Sequence, residues 1–181
     1  LYTNQANFSP TPSDKGGSIR AAIRRGPSIG FAPLLFIGLQ SNDVNAHGYL
    51  LGLADSDPAR IALRKGALID GIPDVAPGTL GVLRRSAQSV AADSWLHLRL
   101  DMVVNLNGDV VLNVFQSDLV ANPVTAPVWT AVTGLEQFID DALGVNSGSA
   151  PFTQGYMGFG ARSAEVNRRA YWDHLEAHRQ T

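Results

Sequence analysis

Along WLHLRLDMVVN, residues 95–105, Leu96, Leu98, Leu100, Met102 and Val104 fall at every second position, while His97, Arg99, Asp101 and Asn105 hold the opposite parity. A period of two is the pattern of a strand with one dry face and one wet face. NLNGD then supplies asparagine and glycine where a tight reversal needs positive φ, and VVLNVF returns with an alternation of its own, so the stretch reads as a β-hairpin. Short apolar-rich runs recur through the rest of the chain: SIRAAIRR, FAPLLFIGLQ, GYLLGLAD, RIALRKGAL, TLGVLRR, GYMGFGAR and RRAYWDHLEAH, separated by turn signals such as GPS, SND, SDP, APG and NSGS. With the two arms of the hairpin they make nine predicted strands. No ten-residue helical periods lie between them, which predicts an all-β fold, an antiparallel β-sandwich rather than parallel βαβ units. The proline near the front of FAPLLFIGLQ predicts an edge strand or a bulge there.

One segment breaks the rhythm. GLEQFIDDALG places Leu135, Phe138, Ile139 and Ala142 at spacings of three and four with glycine at both ends, which predicts one short helix near 135–143 covering an open edge or end of the sandwich. Residues 1–17, LYTNQANFSPTPSDKGG, are polar and aperiodic and read as an N-terminal arm or a loosely held first strand; residues 18–181 read as a single sandwich domain.

Composition narrows the function classes. Charged residues make up 17% of the chain, below the about 25% usual for soluble domains. Turn formers replace them, with 18 glycines and 10 prolines. A net charge of −2 provides no basic field for a polyanion, so nucleic acid is not an expected partner. The chain holds no cysteine, which excludes disulfides, thiolate metal sites and a cysteine nucleophile. No apolar run approaches the about 20 residues of a membrane-spanning helix.

Three chemically different groups on the wet face of the hairpin, His97, Arg99 and Asp101, are candidate ligand-binding residues, with Trp129 in the loop ANPVTAPVWTAVTG beside them. The competing reading is that they pair with neighbouring strands. Asn105, Asn107 and Asp109 have the spacing of a calcium loop but lack its downstream bidentate glutamate, and Asx turn chemistry accounts for them. His174 and His178 lie roughly 13 Å apart on a strand, too far to share an ion. No strand carries alternate carboxylates. Glu136, Asp140 and Asp141 lack the paired geometry of about 5–5.5 Å that retaining glycoside hydrolysis needs, and no nucleophile elbow, zinc helix or phosphate loop is present.

GYLLGLADSDPARIALRKG, WLHLRLDMVVNLNGDVVLNVF and GYMGFGARSAEVNRRAYWDHLEAH together resemble the tyrosine-led strand pair, the tryptophan-led hairpin and the closing strand pair of the concanavalin A-like lectin/glucanase superfamily, which includes laminin G-like modules. The resemblance implies a jelly roll. It also implies a calcium option, because Asp173 in AYWDHLEAH stands where some members hold calcium together with N-terminal residues, here represented by Asp14; no other cofactor is expected. PVW followed by GLEQFIDDALGVNSGS, and the ending HRQ, are similar in style to accessory sandwiches of bacteriophage tail and host-attachment proteins. The expectation is therefore a non-enzymatic jelly roll that binds a glycan or a host-surface ligand. Its expected setting is a homo-oligomer among other virion subunits, in a virion or at a cell surface. A purely structural oligomerisation module is the alternative, and a polysaccharide hydrolase or lyase the third reading.

Overall fold

The computed structural model describes residues 6–8, 16–24, 31–54, 59–91, 94–117, 127–163 and 171–180. Among these described residues, twelve strands form two antiparallel sheets. The elements are β1 (Ala6–Phe8), β2 (Gly16–Arg24), β3 (Phe31–Leu39), β4 (His47–Leu53), β5 (Ala59–Ala67), β6 (Val82–Val90), β7 (Trp95–Val104), β8 (Val110–Ser117), β9 (Thr130–Ala131), β10 (Phe138–Asp140), β11 (Gly155–Ser163) and β12 (Tyr171–Gln180). A 3-10 turn at Leu68–Asp70 is the one helical element among the described residues, and none is long and apolar enough to cross a membrane. The first sheet runs β1-β11-β3-β4-β5-β6; the second runs β10-β8-β7-β2-β12, with β9 also paired to β8.

The alternation in β7 fixes its placement. Leu98, Leu100 and Met102 are fully buried between the sheets, where they meet Ile19, Ala21 and Ile23 of β2 and Leu35, Ile37, Leu51 and Leu63 of the facing sheet. Each such aliphatic side chain stabilises the fold by about 1.5–3 kcal/mol relative to exposure. Strand β3 differs because both of its faces are covered. Leu35 and Ile37 point into the inter-sheet core, while Leu34 and Phe36 join Leu50, Leu68 and Ile72 in a second cluster on the far side of the sheet. A strand buried on both faces reads as a continuous apolar run, as FAPLLFIGL does.

Two expectations need correction. β3 is an interior strand between β11 and β4, not an edge. Proline is tolerated because its register with β11 includes Pro33 opposite Ala161, whereas the pairing with β4 begins only at Leu34. The second correction concerns 135–143, which form no helix. Phe138, Ile139 and Asp140 pair with Leu112, Val111 and Val110 of β8, and their exposure alternates. Phe138 and Asp140 face inward while Ile139 is 42% exposed. The helical spacing of four apolar residues lost to the chance of burying Phe138 and pairing Asp140 across the sheets, a tertiary override of local preference. The flanking glycines, Gly134 (φ 89°) and Gly144 (φ 71°), serve as left-handed turn residues on either side of that strand.

Residues 6–8 of the stretch read as an arm pair with β11, with Ala6 opposite Met157, so they are an edge strand of the first sheet; β2 begins at Gly16.

Candidate functional site

The outer face of the second sheet gathers the polar side chains that the period of two leaves out of the core. Direct pairing places Arg20 of β2 opposite Arg99 of β7, Glu176 of β12 opposite Arg20, and Phe115 of β8 opposite Arg99. A row Glu176, Arg20, Arg99, Phe115 therefore crosses four strands, assembled from residues as far as 156 positions apart. Like charges directly opposite one another repel. Each guanidinium is compensated: Arg20 is ion-paired to Glu176, and Arg99 lies 3.0 Å from Asp101. Asp101 also accepts a hydrogen bond of 2.6 Å from Ser18 Oγ.

Aromatic rings complete the arrangement. The Arg99 guanidinium sits 4.2 Å from the Phe115 ring centre and 5.1 Å from that of Trp129, and Arg20 lies 6.0 Å from the Trp129 ring. Cations over aromatic faces gain about 0.5–2 kcal/mol each, more as water is excluded. The His97 ring lies 4.6 Å from Trp129, with Ser117 Oγ 3.5 Å from its Nδ1. His97 is only 8% exposed. It is buried on the outside of the sheet, under Trp129, rather than in the core, where its neighbours Leu96 and Leu98 point. At the rim, His178 approaches Glu176 Oε2 at 2.9 Å. Hydrogen bonds from His178 and Arg20 hold the Glu176 carboxyl below its ordinary range.

The structure thus brings His97, Arg99, Asp101 and Trp129 into one cluster, with Arg20, Phe115 and Glu176 added to it. Trp129 is half-buried, not a free platform, and Arg99 and Asp101 are paired to each other and to neighbouring strands. Of the residues suggested for calcium, Asp14 lies outside the described residues. Asp173 is described in its backbone alone, opposite Ala22. Among the described residues no three His, Asp or Glu side chains form a metal-binding group. The hairpin tip is built by turn chemistry: Asn105 Oδ1 accepts from the backbone N–H groups of Asn107 and Asp109, and Asp109 Oδ1 accepts from that of Ala142.

A second polar group, unanticipated from the sequence, lies inside. Lys65 Nζ donates to Asp140 Oδ2 (2.7 Å), Ser147 Oγ (2.8 Å) and the carbonyls of Ser149 and Ala150. Tyr49, directly opposite Lys65 on β4, donates its hydroxyl to the same carboxylate and accepts from Phe152 N–H. Burial first, and the Asp140 carboxylate second, push the Tyr49 hydroxyl far above its ordinary pKa, so it stays a donor. Glu136, another of the carboxylates weighed for hydrolysis, accepts from Gly134 N–H.

No family model matches the sequence, and no curated protein matches it. Six chains among solved structures do match. One is a mutant of the alginate lyase Aly36B in complex with alginate trisaccharide, at 13% identity and a TM-score of 0.39, covering 98% of this chain and 74% of that one. The two sheets fit a jelly-roll sandwich; a likeness at that score transfers neither residues nor substrate. The neighbour is nonetheless an enzyme, and the expectation that this chain is not one is thereby overturned and carried no further. Nothing in that likeness supports a phage setting.

Proposed function

We infer that the outer face of the second sheet is a carbohydrate-recognition surface centred on Arg99 and Trp129. The observation that carries this reading is the row Glu176, Arg20, Arg99, Phe115 with Trp129 above it, which places two compensated guanidinia against aromatic rings on a partly exposed sheet face. Planar guanidinium and carboxylate groups offer paired hydrogen bonds matched to vicinal hydroxyls or to a sugar carboxylate, and their fixed partners reduce the entropy lost on binding. The setting in a virion or at a cell surface, with other subunits of a homo-oligomer as partners, belongs to the same proposal and is supported only by the low charge and turn-rich loops of the sequence. The test is calorimetric titration with a panel of neutral and uronate-containing polysaccharides, with the ultraviolet absorbance of unsaturated uronate and the release of reducing ends followed in the same samples to read turnover. Binding that weakens in Arg20→Ala and Trp129→Ala is expected. Silence across the panel, or binding indifferent to both substitutions, removes the reading.

A further inference from the structure

A second opening lies away from this face, at the side of the sandwich where β6, the edge of the first sheet, meets the ends of β7 and β8. It encloses about 270 Å³. Its apolar floor is Ile61, Val90, Leu96 and Val132, and its rim carries Gln88, Ser89, Ser94, Gln116 and Thr133. Among the described residues no charged side chain lines it.

The opening is made by an irregularity in β6. Ala59 pairs with Val90 and Arg60 with Ser89, but Ala62 pairs with Arg85, so the three residues 86–88 oppose Ile61 alone. Ser86 closes the bulge from within, donating to Gln88 O at 2.6 Å and accepting from Ile61 N–H at 3.1 Å. Arg60 holds the carbonyls of Ser86 and Ala87, and Ala87 N–H donates to Thr133 O, tying the bulge to the segment after β9. Bulges of this kind turn side chains away from the ladder and recur beside binding sites. Here the structural hydrogen bonds are made by Ser86, by the Arg60 guanidinium and by the backbone. The side chains of Gln88, Ser89, Ser94, Gln116 and Thr133 make none with the described residues of the chain. Five uncharged polar residues, two of them with amides that can both donate and accept, thus border an apolar floor without side-chain hydrogen bonds to the described residues.

We propose that this opening is a second ligand site, for a neutral polyhydroxylated ring such as a single uncharged sugar unit. Such a ring has hydroxyls around its edge for amides and hydroxyls to meet, and a C–H face for Ile61, Val90 and Leu96 to cover. A charged sugar is disfavoured, since a carboxylate entering the site loses hydration and finds no cation among the described lining residues. The site is independent of the Arg99 face, and its affinity does not vary with salt.

The test is nuclear magnetic resonance titration of the labelled chain with glucose, galactose, mannose and N-acetylglucosamine, and with glucuronate as the charged comparator. With at least one neutral sugar, the side-chain amides of Gln88 and Gln116 and the backbone amides of Ala91 and Ser94 are expected to shift saturably, equally at low and high salt. The double variant Gln88→Ala/Gln116→Ala, checked for unchanged thermal unfolding, is expected to weaken that binding about tenfold or more, as two lost hydrogen bonds imply. Arg20→Ala is expected to leave it intact. The proposal is overturned if no neutral sugar shifts these signals saturably, if glucuronate binds there more tightly, or if the double variant binds as the parent does.

Discussion

Lys65 Nζ stands 2.7 Å from Asp140 Oδ2 with both side chains sealed from solvent, one on each sheet. Burial of an ion pair is costly unless the remaining donors and acceptors are met. Here they are: Lys65 reaches Ser147 and two carbonyls, and Asp140 also takes hydrogen bonds from Tyr49 and Ser147. The pair thereby clips β10 and residues 147–150 to the first sheet. Breaking one side leaves an uncompensated buried charge. Lys65→Met and Asp140→Leu are each expected to destabilise by about 3–5 kcal/mol in urea unfolding, and the double variant by clearly less than the sum. Additive single effects would contradict the coupling.

Tyr49 belongs to the same group but contributes differently. Tyr49→Phe keeps the ring against Phe152 (centroids 5.5 Å apart) while removing the donor to Asp140 and the acceptor of Phe152 N–H. A loss of about 1–3 kcal/mol is expected at neutral pH. The raised pKa of Tyr49 also gives a sign. Its contribution is fully present below the unfolded value of 10.0 and is lost as pH rises beyond it, because only the unfolded state ionises there. Parent stability is therefore expected to fall more steeply above that pH than that of Tyr49→Phe, as read from urea midpoints along an alkaline series.

These residues show what was legible in the sequence. The parity of Leu98, Leu100 and Met102 is a local property, and it located both the core face of β7 and the polar face carrying His97, Arg99 and Asp101. Arg20 and Glu176 join that face only through pairing between strands far apart in the chain, which no spacing reveals. The Lys65 and Asp140 partnership is 75 residues long, and Asp140 sat in a segment whose apolar spacing mimicked a helix. A buried carboxylate flanked by Phe138 at two positions is a strand signal too, but one that becomes readable only once its cation is known. The bulge at 86–88 left no mark beyond the short run Ser86, Ala87, Gln88, Ser89.

Gly134 marks a close approach that tolerates no side chain. Its φ is 89°, and a Cβ there would lie 2.8 Å from Arg85 O and 3.2 Å from Ala87 N. Gly134→Ala is expected to lower stability by more than about 1 kcal/mol, through both backbone strain and the shift forced on β6. Gly78, whose φ of 87° faces open space, is the control for strain alone. A thermal shift in Gly134→Ala no larger than in Gly78→Ala would show that the crossing is loose.

Leu98→Ala and Arg99→Ala separate the two faces of one strand. Leu98 is fully buried, and its truncation is expected to cost about 2–5 kcal/mol through lost burial and a residual cavity. Arg99 is held between Phe115 and Trp129 and paired with Asp101, with its side chain 24% exposed. Its removal is expected to change urea stability by about 1–2 kcal/mol, the scale of a partly screened ion pair plus cation–π contact, while weakening the polysaccharide binding proposed for this face. Equal destabilisation by both substitutions would make Arg99 a structural residue of the sheet.

Asp141 sets the acid limit of the loop that follows β10. Its carboxylate accepts backbone N–H groups from Asn146, Val145 and Leu143, and those bonds, Asn146 foremost, lower its pKa from the ordinary 3.8. Because the folded value is the lower one, the stabilisation is complete above 3.8 and is lost as pH falls through the folded value. The group lies at the surface, only partly covered, so the effect is local, on residues 141–146. Amide signals of Leu143, Val145 and Asn146 are expected to titrate together below the ordinary aspartate range. In Asp141→Asn, whose side-chain carbonyl accepts more weakly and carries no charge, that acid transition is expected to vanish and the three amides to exchange faster at every pH. Titration of the three amides in the parent at or above pH 3.8 would show that the loop does not hold its carboxylate in the folded state.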